Sequence, residues 1–538
     1  MEKLRKRLAI FFGCLSAIFA SIAIYNHIRV SEISEDDATC TTQKWNRDIE
    51  QYARKNSKLI FFSRNLNKFK PSKTAKKILD QYYISVELSP DTYPGDYFTL
   101  DTLLTKETRK NHINFFGDTF TFDLQLTQNP RKYRQLEAGI LSPNLHPVYL
   151  TSQSSLRSSN NAPTLNEALE LTLNHFEKNP YELRSNARNA TTKKIKKIFF
   201  RKNLLGLHST AHDTINFDSL PQSFFSHTNL NEIFSQINFM HAEIAKLYTY
   251  FKSKECETDS HAIVSENSRL ALKILELNPN QIVAEETSKI AIREVCNRYD
   301  AKGTSVTAKL LYLRAMGDSS LLKNKKSHYS FYIKNVKSFI PKRKNNDTNF
   351  GNYKSTAIRD LALMTSVFAK AYSISSERKF LKEAEKLALL LENKIQSSTN
   401  LPAKIGVESE ASSLEYVLCA RAFFDLAKHS KNNKWIQTSF NTISKWNDNF
   451  MTDISLWSIN SKKSVLAKYA RPIITRDSDL PSYIGEASQL FAELGILNNR
   501  TGQILKKISI SASIEPLLSH NWASLKLAML HQHTPPNL

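Results

Sequence analysis

Apolar positions along this chain change their period partway through. Lys58-Leu-Ile-Phe-Phe-Ser63 and Tyr82-Tyr-Ile-Ser-Val-Glu-Leu88 are short, nearly continuous apolar runs, and Ala75 to Gln81 between them has helical spacing. Strands are therefore expected at 58–63, 82–88, 117–125 and 147–151, giving a mixed α/β region from Trp45 to about Thr151. Beyond it the period becomes helical: Leu165, Ala168, Leu169, Leu171 and Leu173 recur with helical spacing. From about residue 226 the pattern predicts helices almost exclusively, at 229–252, 264–276, 283–298, 304–316, 326–339, 354–374, 377–396, 411–430, 433–448, 482–496, 502–517 and 521–532. Phe380, Ala384, Leu387, Leu390 and Leu391 form one clear stripe, and Tyr416, Cys419, Ala420, Phe423 and Leu426 another. Paired helices in this number fit a ring of six helical hairpins, an (α/α)6 toroid. No fixed short repeat favours a superhelical array.

Composition adjusts this picture in a few places. With 538 residues there is material for two or more domains, and only 12 glycines argue for long helices over tight turns. The formal charge of +23 admits nucleic acid, anionic lipid or acidic glycan as partners. The lysines are scattered along the whole chain, which argues for a solvated basic surface and against nucleic acid. The run Lys193 to Lys202 has the same reading. Met1 to Arg7 carries Lys3, Arg5, Lys6 and Arg7, followed by the uncharged run Leu8 to Tyr25. This predicts a membrane-contacting segment at residues 8–25. It is either a signal anchor or a signal peptide cut after Ser21-Ile22-Ala23, and in both cases the bulk is exported. The expected product is a single-pass inner-membrane protein with its bulk periplasmic, or a secreted one. The organisation is then 1–25 signal segment, 26–43 polar stalk, 44–155 α/β domain, 156–225 helical linker and 226–538 toroid.

Candidate chemistry is sparse. The cysteines are Cys14, Cys40, Cys256, Cys296 and Cys419, with no Cys-x-x-Cys and no zinc spacing. Cys256 and Cys296 are a possible disulfide that spacing does not establish. No metal or other cofactor is indicated. Asp360, Glu415, Asp477 and Asp479 lie near predicted helix starts, where they can face the mouth of a ring and act as acid or base on a sugar. Glu415 and Asp477 equally suit helix caps. Tyr416, Trp435 and Trp457 can stack on sugar rings or pack in the core.

The order of these pieces resembles the thioredoxin-domain proteins of the spermatogenesis-associated protein 20 type and their bacterial YyaL relatives. Lys58 to Ser63, Tyr82 to Leu88 with Asp91-Thr-Tyr-Pro94, and His146-Pro147 look like the strands of that family's thioredoxin domain; the proline in such a fold is often cis. Lys309-Leu-Leu-Tyr312, Leu361 to Ala371, Glu415-Tyr416 and Asp477 to Ser482 resemble segments of its toroid. The resemblance implies a thioredoxin-like domain followed by a toroid akin to carbohydrate-active enzymes. Departures fall at the family's functional motifs. The Cys-x-x-Cys segment is replaced by residues 64–74, His-Phe-Glu by Val306-Thr307-Ala308, and Asp-Trp-Asn by Arg359-Asp360-Leu361. These losses favour a binding or scaffold protein of the cell envelope without thiol chemistry, its partners being envelope glycans or other proteins. The alternative is a carbohydrate-active enzyme using Asp360, Glu415 and Asp477, with Tyr416 and Trp435 against the ligand.

Overall fold

A computed structural model describes residues 42–66, 73–102, 136–151, 165–199, 230–318, 326–341, 355–398, 400–452, 457–468, 471–474, 477, 480–494, 520 and 523–532. The N-terminal part is a sheet of β1 (Thr42–Gln43), β2 (Leu59–Ser63), β3 (Tyr83–Glu87), β4 (Ala138–Leu141) and β5 (Pro147–Thr151) in the order β1-β3-β2-β4-β5. β1, β3 and β2 are parallel, while β4 and β5 add antiparallel. Helices α1 (Ile49–Lys55), α2 (Lys73–Tyr82) and α3 (Pro94–Thr102) connect the early strands, and α4 (Leu165–Lys178) and α5 (Pro180–Phe199) follow the last.

β2 reads as an unbroken apolar run because it is covered on both faces. Ile60 and Phe62 pack with Trp45, Ile49, Ala53, Tyr97 and Leu100; Leu59 and Phe61 pack with Leu79, Leu169, Leu173 and Leu183. α4 and α5, which the sequence suggests as a linker, thus cover one face of the sheet. β4 has no counterpart among the strands expected from sequence, and the expected strand at 117–125 lies outside the described residues. A Cβ on Gly139 in β4 would sit 2.6 Å from the Phe62 ring, so only glycine lets β4 pair with β2 there. No peptide bond among the described residues is cis, so His146-Pro147 departs from the family expectation.

The remaining helices are α6 (Leu230–Phe251), α7 (Lys254–Thr258), α8 (His261–Leu277), α9 (Ile282–Asp300), α10 (Val306–Gly317), α11 (Lys326–Ser338), α12 (Ile358–Ser375), α13 (Arg378–Ser397), α14 (Ser413–Ser430), α15 (Lys434–Phe450), α16 (Tyr483–Glu493) and α17 (Ala523–Gln532). Helices α8, α10, α12, α14, α16 and α17 each pack on the next, and α17 returns to α8, closing a ring of six. α6, α9, α11, α13 and α15 pack outside it. The two layers differ in sequence for a physical reason. α12 is buried continuously from Ile358 to Ala369, whereas α13 buries one side, with Phe380, Ala384, Leu387, Ala388, Leu390, Leu391, Glu392 and Ile395. This is the (α/α)6 toroid, with the expected helix at 502–517 outside the described residues.

The sheet domain sits against the ring. Val465 and Leu466, from the segment between α15 and α16, complete the sheet domain's core. Asp96 of α3 accepts hydrogen bonds from Trp45 Nε1 at 2.8 Å, from the Val465 and Leu466 amides at 3.2 and 3.0 Å, and from Ser464. Gly95 lies so close to Asn460 that a Cβ would come within 3.0 Å of its Cα. No helix among the described residues is long and apolar enough to cross a membrane, and residues 1–25 lie outside them. Cys256, Cys296 and Cys419 are free thiols, so the possible Cys256–Cys296 bridge is absent.

Candidate functional site

The inner helices start at one mouth of the ring, and their starts were written into the sequence. Ser260, Ser305, Ser412 and Ser482 are N-caps of α8, α10, α14 and α16, each accepting a backbone amide from the first turn. α12 begins at Ala357 without a side-chain cap. At this mouth lies a cavity of about 600 Å³. One wall is made by the first residues of α8, α10 and α12: His261, Thr307 and Asp360, with Arg359 and Lys404 beside them. The sheet domain forms the other wall through Arg64, Pro90, Asp91, Tyr97 and Phe98.

Asp360 is buried, and Thr307 Oγ1 donates to its Oδ1 at 2.6 Å. Burial raises its pKa; Arg359 and the Thr307 hydrogen bond oppose this, and Asp91 adds to it. Arg359 joins the two walls. Its Nη1 donates to the Pro90 carbonyl at 2.7 Å and lies 3.8 Å from Glu415 Oε1, while its Nη2 pairs with Asp91. His261 Nδ1 is 2.7 Å from the Tyr312 hydroxyl. Burial and then Arg298 lower the pKa of His261, so the ring is neutral at pH 7. The cavity therefore combines a carboxyl with a raised pKa, a neutral imidazole and an ion pair that spans two domains. That set can bind hydroxyls and move protons.

Of the residues singled out from sequence, Asp360 lines this cavity. Glu415 is 1% exposed and forms a capping box with Ser412, accepting its amide at 2.8 Å and its hydroxyl at 2.5 Å. Asp477 is buried elsewhere: it accepts from the Ser482 amide at 2.8 Å, from the Ser524 amide at 2.9 Å and from the Ser524 hydroxyl. Burial pushes its pKa up to about 7. Tyr416 accepts the Leu401 amide at 3.0 Å in the core, Trp435 stacks on Phe423, and Trp457 stacks on Trp446. Asp479 lies outside the described residues. His146 is buried at the start of β5. Among the described residues no cluster of His, Cys, Asp or Glu has metal-binding geometry.

The sequence reading did not select Asp91, His261, Arg359, Thr307 or Phe98. Two of these, Thr307 and Arg359, line the cavity together with their neighbours Val306, Ala308 and Asp360. The serine caps directly before α8, α10, α14 and α16 were the available signal for the mouth.

No family model and no curated protein matches the sequence. Among solved structures the chain is similar to a D-mannose isomerase (10% identity, TM-score 0.39, covering 55% of this chain and 97% of that one). It is also similar to a cellobiose 2-epimerase from Spirochaeta thermophila (9%, 0.36, 50% and 85%) and a glycosyl hydrolase family 88 protein from Bacteroides vulgatus (10%, 0.38, 54% and 98%). These likenesses are loose, and the assignment of the ring rests on its own helix packing.

Proposed function

We propose that this chain is a carbohydrate-active toroid protein that holds a sugar in the cavity at the N-terminal ends of α8, α10 and α12. The observation that carries this reading is the convergence of Asp360, His261 and the Arg359–Asp91 pair on one cavity of about 600 Å³. A carboxyl whose pKa burial raises is a better proton donor to a sugar oxygen, and an imidazole can accept a proton. The sheet order β1-β3-β2-β4-β5, with β4 antiparallel, supports a thioredoxin-like reading of the N-terminal domain. Residues 41 to 255 contain no cysteine, so that domain carries no thiol for disulfide exchange. The uncharged run at 8–25 supports membrane attachment, with the domains exported.

The test is turnover of a panel of neutral and uronic-acid oligosaccharides by the full-length protein, followed by NMR of the sugar. Asp360→Asn is expected to reduce turnover about 100-fold or more. A substitution without effect on a measurable rate overturns the role of Asp360. A second reading, binding without catalysis, is favoured by the occupation of Glu415 and Asp477 in backbone capping and loop contacts. Under it the parent binds a sugar in the panel and leaves it unchanged.

A further inference from the structure

The ring aromatics that the sequence singled out are spent on its core. Tyr416, Trp435 and Trp457 are each at most 3% exposed. Excluding His261, the aromatic side chains among the described residues of the cavity wall are Tyr97 and Phe98, and both belong to the sheet domain. The Tyr97 hydroxyl is occupied by the Leu136 carbonyl at 2.8 Å, and its ring meets Phe98 edge-on at a centroid distance of 5.3 Å. Phe98 is half-buried and packs against both the ring's core and the sheet domain's core. Its helix cannot drift: Asp96 is bonded to Trp45 on one side and to Ser464, Val465 and Leu466 on the other, and Gly95 sits tightly against Asn460.

We propose that the sheet domain is the ligand-selecting wall of the cavity, with Phe98 as the platform for the apolar face of a pyranose and Asp91 and Arg64 as polar selectors at its edge. This rests on the carbohydrate reading above and names which domain supplies its specificity. A pyranose presents C–H groups on one face and hydroxyls around its rim. A site for it needs an aromatic surface with charged or amide groups beside it. Here Phe98 lines the cavity together with Asp91, which Arg359 holds, and Arg64 lies on the same wall, 3.6 Å from Glu137. A domain with no thiol thereby has a use that depends on its shape and docking alone.

The experiment displays neutral and uronic-acid oligosaccharides as an array, probes it with full-length protein, and measures the affinity of the strongest binder by calorimetry. Phe98→Ala is expected to weaken that binding about tenfold or more, and Phe98→Trp to retain it. Trp435→Phe, a change in the ring's core, is expected to leave it unaltered. If Phe98→Ala does not give a cooperative melt, Phe98→Leu decides, since it keeps packing volume without a ring face. Parent-like affinity in Phe98→Ala or Phe98→Leu overturns the inference. If Asp360→Asn weakens binding in the same assay, the carbohydrate reading stands without it. A parent protein that binds no member of the array overturns that reading and the inference with it.

Discussion

The two mouths of the ring handle charge in opposite ways. At the N-terminal mouth the inner helices present their positive dipole ends, capped by serines on α8, α10, α14 and α16, and a cavity of about 600 Å³ stays open beside Asp360 and His261. At the C-terminal mouth the remaining space is about 130 Å³, and the walls are densely ionic. Deeper in the ring, Glu486 in the first turn of α16 takes both Nη atoms of Arg314, at 2.8 and 2.5 Å, and Arg269 Nη1 at 3.3 Å. Arg269 also bonds Glu266, Asp318 and Gln489, and Arg421 pairs with Asp425 and Glu493. Arg314, in the last turn of α10, complements the helix dipole there, and the carboxylate partners of the three arginines close the network. Burial alone would raise the pKa of Glu486, but Arg314 and Arg269 hold it below its usual range. The ring's interior and C-terminal mouth are thus closed by an ionic plug, while the N-terminal mouth keeps the candidate cavity. Charged residues mark function only where the fold leaves them unpaired enough to meet a ligand.

The contrast breaks most visibly at Glu486. Replacing Glu486 by Gln leaves two buried guanidiniums without their shared anion, and should cost about 3–5 kcal/mol in urea unfolding. A loss within about 1 kcal/mol would mean that the plug is not a structural unit.

Asp477 sharpens the comparison through pH. Its folded pKa of about 7 lies above that of an unfolded aspartate, so the folded state binds the extra proton. Stability from this group is present below about pH 4 and is lost as pH rises towards 7. Unfolding free energy should fall by roughly 1–4 kcal/mol between pH 4 and pH 8, and Asp477→Asn should flatten that part of the profile.

The smallest effect is expected at Trp435. Its Nε1 has no hydrogen-bond partner, so Trp435→Phe removes only part of the stack on Phe423 and should cost about 1 kcal/mol. Thermal unfolding would register it. A larger loss would give Trp435 more than a packing role.

Much of the ring was legible because an inner helix buried on every side and an outer helix with one apolar stripe leave different periodic signatures. The stripe Phe380, Ala384, Leu387 and Leu391 became α13, and expected helix ends in this region differ from the observed ones by a few residues. β4 was not legible. Ala138-Gly-Ile-Leu141 is four residues long with a glycine inside, and it becomes a strand only because Phe62 and Tyr149 flank it. Glu415 shows the ambiguity of local motifs: Ser412-Ser-Leu-Glu415 spells a capping box, and the same carboxylate suits a catalytic mouth.

The sequence by itself determined the periods, the caps and the absence of cysteine between residues 41 and 255, because each depends on residues a few positions apart or on composition. Only the tertiary structure decided which carboxylates meet. Arg359 and Asp91 are 268 positions apart, and their contact exists because the Val465–Leu466 segment docks the sheet domain over the ring. Pairing between distant charges is set by that docking, which leaves no period in the chain. Asp360 therefore lines a cavity, while Glu486, equally acidic and also near a helix start, is consumed in the plug.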